Sequence, residues 1–179
     1  MDAIRRKKER KRMKWRQDTT CCDRPPLSKE VPLEEAGFSE TEMAILEVSR
    51  FYWQTFAEPS SQSWLFALQS AEERFGGAHG GELGLEILAC VQSMRMSRKS
   101  CFRFNSSRCK DCAAFVSEHE RQFMNVFISL RDGNRGAALT HAMILCEGNS
   151  TDAFIDRMRH LNRGVKQLNS SKTVASHLH

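Results

Sequence analysis

Apolar residues recur at helical spacing along most of the chain after Phe38, and this pattern limits the fold more than any other feature of the sequence. Large apolar side chains return every three or four residues, which places them on one face of an α-helix. No stretch combines period-two alternation with the β-branched composition of strands. The pattern predicts about six helices with short connections, and therefore an all-α fold with a single helical domain.

Local signals mark where these helices begin and end. Ser39, followed three residues later by Glu42, predicts a capping box at the start of the first helix. Pro59 is expected to end that helix, and the glycine run at 76–81 predicts a break before the third helix. The fourth helix is predicted to be the longest, from about Cys109 to Leu130.

Positive charge is concentrated at the beginning of the chain. Residues 1–16 contain nine of the 27 Lys and Arg residues and two of the 22 Asp and Glu residues, so this arm carries +7 and the remainder −2. With almost no apolar face to bury, the arm is predicted to be disordered. Residues 17–37 are predicted to form an extended linker, residues 38–168 the helical domain, and residues 169–179 a flexible tail.

A cysteine cluster lies near the middle of the sequence, between positions 90 and 112. Its members are Cys90, Cys101, Cys109 and Cys112. Because the chain shows no secretory signal, free thiols that bind a metal are expected rather than disulfides. The pair with two intervening residues, Cys109 and Cys112, is the most informative, since a helix N-terminus favours the thiolate that metals bind. The four cysteines are predicted to form a metal-binding loop that holds an iron–sulfur cluster or zinc, with iron–sulfur slightly favoured.

The surrounding sequence supports a metal centre but leaves alternatives open. Residues 95–110 contain six basic residues and no acidic one, which would stabilise an anionic thiolate centre. The stretch 99–108 has few large apolar residues, so a metal is expected to hold it in place. Cys146 is an alternative to Cys90 as the fourth ligand. His119 lies about 10 Å from Cys112 along their predicted helix, which is too far for the two to share an ion. The other interpretation is that the thiols are incidental and bind no metal.

The basic residues predict binding to nucleic acid, either DNA or RNA, or to another polyanion through phosphate contacts. An acidic protein partner is the alternative. The predicted contact residues are Arg5, Arg6, Lys7, Lys8, Arg10, Lys11, Arg12, Lys14 and Arg16 in the arm, and Arg98, Lys99, Arg103 and Arg108 beside the cysteines.

Several functional classes lose support from the sequence. It contains no nucleophile elbow, Walker motif, zinc-protease motif or dinucleotide fingerprint, so a non-enzymatic function is favoured. No apolar run approaches the ~18 residues of a membrane span, and residues 1–16 do not resemble a secretory signal, so a cytoplasmic protein without a transmembrane segment is expected.

Together these features predict a small regulatory or accessory protein with a cysteine-ligated iron–sulfur or zinc centre, whose basic arm binds nucleic acid or another polyanion. The alternative is a helical protein-interaction or assembly factor without a metal. In that case the arm would act as an electrostatic tether.

Overall fold

A computed structural model describes residues 25–176 of the chain, with the backbone alone for residues 77–78 and 171–176. The predicted predominance of helix is confirmed, and the predicted basic arm lies outside the described residues. The helices are α1 (Glu40–Ala57), α2 (Ser63–Phe75), α3 (Gly77–Ser97), α4 (Lys110–Ala113), α5 (Glu118–Arg131), α6 (Arg135–Leu145) and α7 (Asp152–Ser176). Two short strands, β1 (Val31–Pro32) and β2 (Phe115–Val116), and two 3-10 turns, Leu33–Ala36 and Pro59–Ser61, are also present.

The long helices form one bundle around a shared apolar core. Helix α1 packs against α2 and α3, α3 packs against α7, and α5 contacts both α6 and α7. Glu42 near the start of α1 pairs with Arg131 at the end of α5, and Arg50 in the second half of α1 pairs with Glu120 at the start of α5. The two helices therefore run in opposite directions. The largest fully buried side chains are Tyr52, Phe123, Phe127, Phe154, Ile45, Leu46, Leu83, Ile87, Met94, Met124, Leu145 and Met158.

The predicted capping box at the start of α1 is confirmed. The Ser39 side chain accepts a hydrogen bond from the Glu42 backbone N–H at 3.3 Å, and the Ser39 N–H donates to Glu42 Oε2 at 2.7 Å. This reciprocal pair satisfies two of the backbone N–H groups that a helix start otherwise leaves without partners. It fixes where α1 begins and therefore which of its residues face the core.

The prediction of one continuous helix from Cys109 to Leu130 is wrong. The chain forms the four-residue helix α4, then strand β2, and only then α5. The break is encoded by a second capping box, in which Ser117 and Glu120 exchange hydrogen bonds at 3.2 and 2.7 Å. Because Ser117 has extended backbone geometry, with φ −72° and ψ 163°, the helical turns before it cannot continue into α5.

Strand β2 is paired with a segment that precedes α1. Val31 and Pro32 of β1 lie antiparallel to Val116 and Phe115, and the Leu33 N–H donates to the Ala114 carbonyl at 2.8 Å. Part of the segment predicted as an extended linker is therefore joined to the helical domain through β-pairing. At the other end of the chain, α7 continues through Ser176, past residue 169 where the flexible tail was predicted to begin.

Among the described residues, none of the helices combines the length and the apolar character needed to cross a membrane.

Helices α2 and α3 approach each other closely at the glycine run. Gly76 ends α2 with a φ of +88°, which favours glycine, and α3 begins directly at Gly77. A Cβ atom added to Gly80 would lie 2.5 Å from the Glu72 Cα atom, whereas one added to Gly81 would meet nothing within 4 Å. The glycine at position 80 therefore allows the two backbones to touch.

Substituting these two glycines should have opposite effects on stability. Gly80→Ala forces the α2 and α3 backbones apart and should lower the free energy of unfolding by about 1–3 kcal/mol, the usual cost of overpacking. Gly81→Ala adds an unhindered methyl group within a helix and should raise it by about 0.5–1 kcal/mol. Urea unfolding followed by circular dichroism measures both. Equal effects of the two substitutions would contradict the close approach at Gly80.

Candidate functional site

A buried ion pair joins α1 to the start of α5. Arg50 Nε lies 2.7 Å from Glu120 Oε1, and a second guanidinium nitrogen of Arg50 donates to Glu120 Oε2 at 3.3 Å. The Arg50 side chain is 3% exposed and that of Glu120 is fully buried. Two-point pairing of this kind fixes both the position and the orientation of the two side chains.

The remaining hydrogen-bonding groups of this pair are occupied by the backbone of residues 98–117, named here the central segment. Arg50 donates to the carbonyl groups of Ala113 and Phe115. The Glu120 carboxylate accepts hydrogen bonds from the backbone N–H groups of Asn105 at 2.9 Å and Ser117 at 2.7 Å. Because buried charges are tolerated when they are paired and hydrogen-bonded, the ion pair and the central segment depend on each other.

Aromatic packing holds the middle of the central segment against α1. The Phe102 ring centroid lies 4.5 Å from that of Trp53, and the Phe104 centroid lies 6.1 Å from it. Phe123 also packs against Trp53, in an edge-to-face arrangement with the ring centroids 5.1 Å apart. Phe102 and Phe104 therefore extend the core to the central segment, and the Trp53 ring is the surface on which they pack.

The beginning of the central segment is attached to the end of α6. Arg98 donates to the Leu145 carbonyl and lies 3.2 Å from a Glu147 carboxylate oxygen, with its side chain only 4% exposed. Glu147 also accepts hydrogen bonds from the Lys99 N–H at 2.9 Å and from the N–H and hydroxyl of Ser100. The Ser100 hydroxyl and then the Lys99 N–H lower the pKa of Glu147 to about 2, so its carboxylate remains charged at neutral pH.

His119 lies on the side of α5 that faces the central segment. Its Nδ1 atom accepts a hydrogen bond from the Arg103 N–H at 2.9 Å, which requires an unprotonated nitrogen at that position. Burial lowers the His119 pKa, with smaller contributions from Arg98 and Arg103. This histidine therefore orients the backbone at Arg103.

The structure places the four predicted cysteine ligands in different environments. Cys90, on α3, is buried in the core of the domain, and this burial strongly raises its thiol pKa. Cys101 is exposed. Cys109 is the N-cap of α4, and its sulfur accepts a hydrogen bond from the Cys112 N–H at 3.4 Å. The alternative ligand, Cys146, is buried at the end of α6 with a raised pKa caused mainly by desolvation.

These positions give no support to a shared metal centre. Within residues 25–176, no three His, Cys, Asp or Glu side chains are grouped so that they can hold one metal ion. Residues 99–108, which a metal was expected to hold in place, are held by the Arg50–Glu120 pair, Trp53 and Glu147. The four-cysteine iron–sulfur or zinc centre therefore stays a prediction.

The four basic residues predicted beside the cysteines do not form one patch. Arg98 is buried and paired with Glu147, and the Arg108 guanidinium lies 5.2 Å from the Phe66 ring on α2. Lys99, Arg103 and Arg108 are exposed, but Arg108 lies on the side of α2. Of these four residues, Lys99 and Arg103 are the candidates for contact with a polyanion near the aromatic packing of the central segment.

A cavity of about 340 Å³ opens beside this aromatic packing and is named here the aromatic cavity. Its lining includes four aromatic residues, three basic residues and no acidic residue among those described. Arg95 lies with its guanidinium carbon 4.4 Å from the Phe56 ring centroid, so one cation covers part of an aromatic face. The seven residues are Trp53, Phe56, Phe102, Phe104, Arg95, Arg98 and Lys99.

An adjoining cavity lies between the central segment and residues near the beginning of the described chain. It has a volume of about 400 Å³ and shares Phe102 and Phe104 with the aromatic cavity. Its lining also includes Arg103 and residues 27–30. The described chain therefore begins close to the aromatic cavity, although the arm at residues 1–16 lies outside the described residues.

A second basic surface, which sequence reasoning missed, lies at the other end of the bundle. An open groove of about 770 Å³ runs between α7 and the turn joining α5 to α6, and is named here the basic groove. Its basic residues are Arg131, Arg135, Arg159, Arg163 and Lys166. The spacing of Arg159, Arg163 and Lys166 on one helix could have revealed it, since residues at i, i+4 and i+7 share a helix face.

No protein-family model matches this chain, and no match was found among curated proteins or among solved structures.

Breaking the buried ion pair should destabilise the whole domain. Arg50→Met leaves the Glu120 carboxylate buried without its counter-charge and should lower the free energy of unfolding by about 3–5 kcal/mol. Adding Glu120→Gln should cost less than the sum of the two single changes, because the double variant retains no unpaired buried charge.

The exposed pair Arg74–Glu47, joined at 2.6 Å, provides the matched control. Arg74→Met should change the free energy of unfolding by less than about 1 kcal/mol. Urea unfolding of all variants gives these values. A loss in Arg50→Met no larger than that in Arg74→Met would contradict the structural role of the buried pair.

Proposed function

We propose that this chain binds single-stranded nucleic acid at the aromatic cavity. The observation that supports the proposal is the cavity lining, in which three partly exposed rings, those of Phe56, Phe102 and Phe104, lie beside two exposed cations, Arg95 and Lys99. None of the described lining residues is acidic. Proteins that bind single strands without sequence preference use this combination, with cations that contact phosphates and aromatic faces on which bases stack.

The side chains that line the aromatic cavity favour binding of an unpaired base over binding of a duplex. The Arg95 guanidinium lies over the Phe56 ring. A guanidinium group and a base are both planar groups that stack on an aromatic face, so a base that stacks on Phe56 would displace Arg95 from that face. Bases inside a duplex already stack on one another and do not offer a free face to these rings. Exposed Lys99 lies beside the rings, in position for a phosphate contact.

The basic arm extends this proposal. Residues 1–16 carry +7, and the described chain starts beside Arg103 and the adjoining cavity. In the proposal the arm adds phosphate contacts to the same strand, whose bases occupy the aromatic cavity. Because such contacts release counterions, binding should weaken steeply as salt increases.

Fluorescence anisotropy with a labelled 20-nucleotide single strand tests the proposal in the full chain. The wild type should bind the single strand more tightly than the matching duplex. The double variant Arg95→Gln/Lys99→Gln should bind it more weakly, and the plot of log affinity against log salt should become less steep by about 1.4, or 0.7 for each lost phosphate contact.

The control variant removes two positive charges at the other end of the bundle, as many as the test variant removes. Arg163→Gln/Lys166→Gln in the basic groove should keep single-strand affinity within about twofold of the wild type. Equal losses in the two variants would show general attraction to positive charge and overturn the proposed site. No binding by the wild type at low salt would overturn the function itself.

Exposed apolar side chains support a second candidate function, a helical protein-interaction module. Leu139, Met143 and Ile144 are exposed on α6, and Trp64 and Leu65 are exposed on α2. Such groups are candidates for contact with a partner protein, for which the arm would provide an electrostatic tether. Absence of nucleic-acid binding at low salt would favour this function, with an acidic protein as the partner.

A further inference from the structure

The basic groove is well separated from the aromatic cavity. A Cβ atom added to Gly164, between Arg163 and Val165 of the groove, would lie 2.9 Å from Leu83 near the start of α3. Arg98, which lines the aromatic cavity, follows Leu83 by fifteen residues, or roughly 20 Å along a helix. A ligand bound in the groove therefore does not need to contact the aromatic cavity.

The groove contains cations without carboxylate partners. Arg131 pairs with Glu42 and Asp132, and Arg159 lies 2.7 Å from Asp156. The other three basic residues of the lining make no ion pair with any described residue, and they are Arg135, Arg163 and Lys166. Their like charges repel one another, and an anion with several charges would relieve that repulsion.

The cations are distributed for a ligand longer than a single phosphate. Arg159, Arg163 and Lys166 follow one face of α7 over about 10 Å. Across the groove, Arg135 is the first residue of α6, whose N-terminus adds a partial positive charge. Anions with linked phosphates can contact both sides of such a groove, whereas one inorganic phosphate would reach only part of it.

Two features favour a small ligand over a continuous nucleic-acid strand. The volume of about 770 Å³ lies within the usual range of 300–1,000 Å³ for small-molecule sites. The groove also adjoins a smaller cavity lined by Asp152 and Asp156, which would repel a polyanion that continued in that direction. The positive surface is thus bounded at the beginning of α7.

We propose that the basic groove binds a small polyphosphate, a ligand with three or more linked phosphate groups. Arg135 contacts it from α6, and Arg163 and Lys166 contact it from α7. This site is independent of single-strand binding at the aromatic cavity, and each of the two proposals can fail without the other.

Isothermal titration calorimetry of the full chain with sodium tripolyphosphate at 150 mM salt, about physiological ionic strength, tests the site. The wild type should bind one tripolyphosphate per chain and bind inorganic phosphate at least tenfold more weakly. The variant Arg163→Gln/Lys166→Gln should lose at least tenfold in tripolyphosphate affinity. Both changed side chains are exposed, and circular dichroism verifies that the variant is folded.

The variant Arg95→Gln/Lys99→Gln is the matched control and should keep its tripolyphosphate affinity within twofold of the wild type. Unchanged affinity in the groove variant would place the ligand elsewhere, for example on the basic arm, and overturn the proposal. No binding by the wild type would overturn it too. Equal affinity for phosphate and tripolyphosphate, or displacement of tripolyphosphate by a single-stranded oligonucleotide, would contradict a site built for a small polyphosphate.

Discussion

The buried pair of Arg50 and Glu120 is the interaction on which the rest of the structure depends. Neither charge is stable in the core without hydrogen-bond partners. Arg50 donates to the backbone carbonyl groups of Ala113 and Phe115, and Glu120 accepts from the backbone N–H groups of Asn105 and Ser117. Because these backbone groups belong to one segment, a single ion pair positions α4, β2 and the start of α5. The β-pairing that attaches residues 31–32 to the domain follows from the placement of β2.

This arrangement explains how a segment poor in large apolar residues has a defined conformation. Phe102 and Phe104 reach the core through Trp53, and Glu147 holds the segment where it leaves α3. These polar interactions lie on the inner side of the central segment. Lys99 and Arg103 are therefore exposed on its outer side, beside the aromatic rings. The aromatic cavity is a consequence of how the segment is held.

Local patterns in the sequence predicted most of the helical architecture, whereas long-range pairings decided the site. The helical spacing and the Ser39–Glu42 box depend on neighbouring residues, and both could be predicted. Ser117 and Glu120 carried the same signal, but the apolar residues on both sides suggested one continuous helix. Nothing near Arg50 in the sequence indicates a partner seventy residues away. In the same way, the sequence around Arg98 does not indicate its pairing with Glu147. Arg98, Lys99 and Arg108 therefore looked like one basic patch, although the Arg98 side chain is buried.

Hydrogen bonds to Glu120 and Glu147 hold the central segment in place. Hydrogen exchange at the backbone amides of Lys99, Asn105 and Ser117 tests it most directly, measured before and after prolonged treatment with a strong chelator and reductant. We expect slow exchange at Asn105 and Ser117 that the treatment does not change. Release of zinc or iron together with loss of protection at these amides would contradict it and restore the cysteines as the ligands of a structural metal.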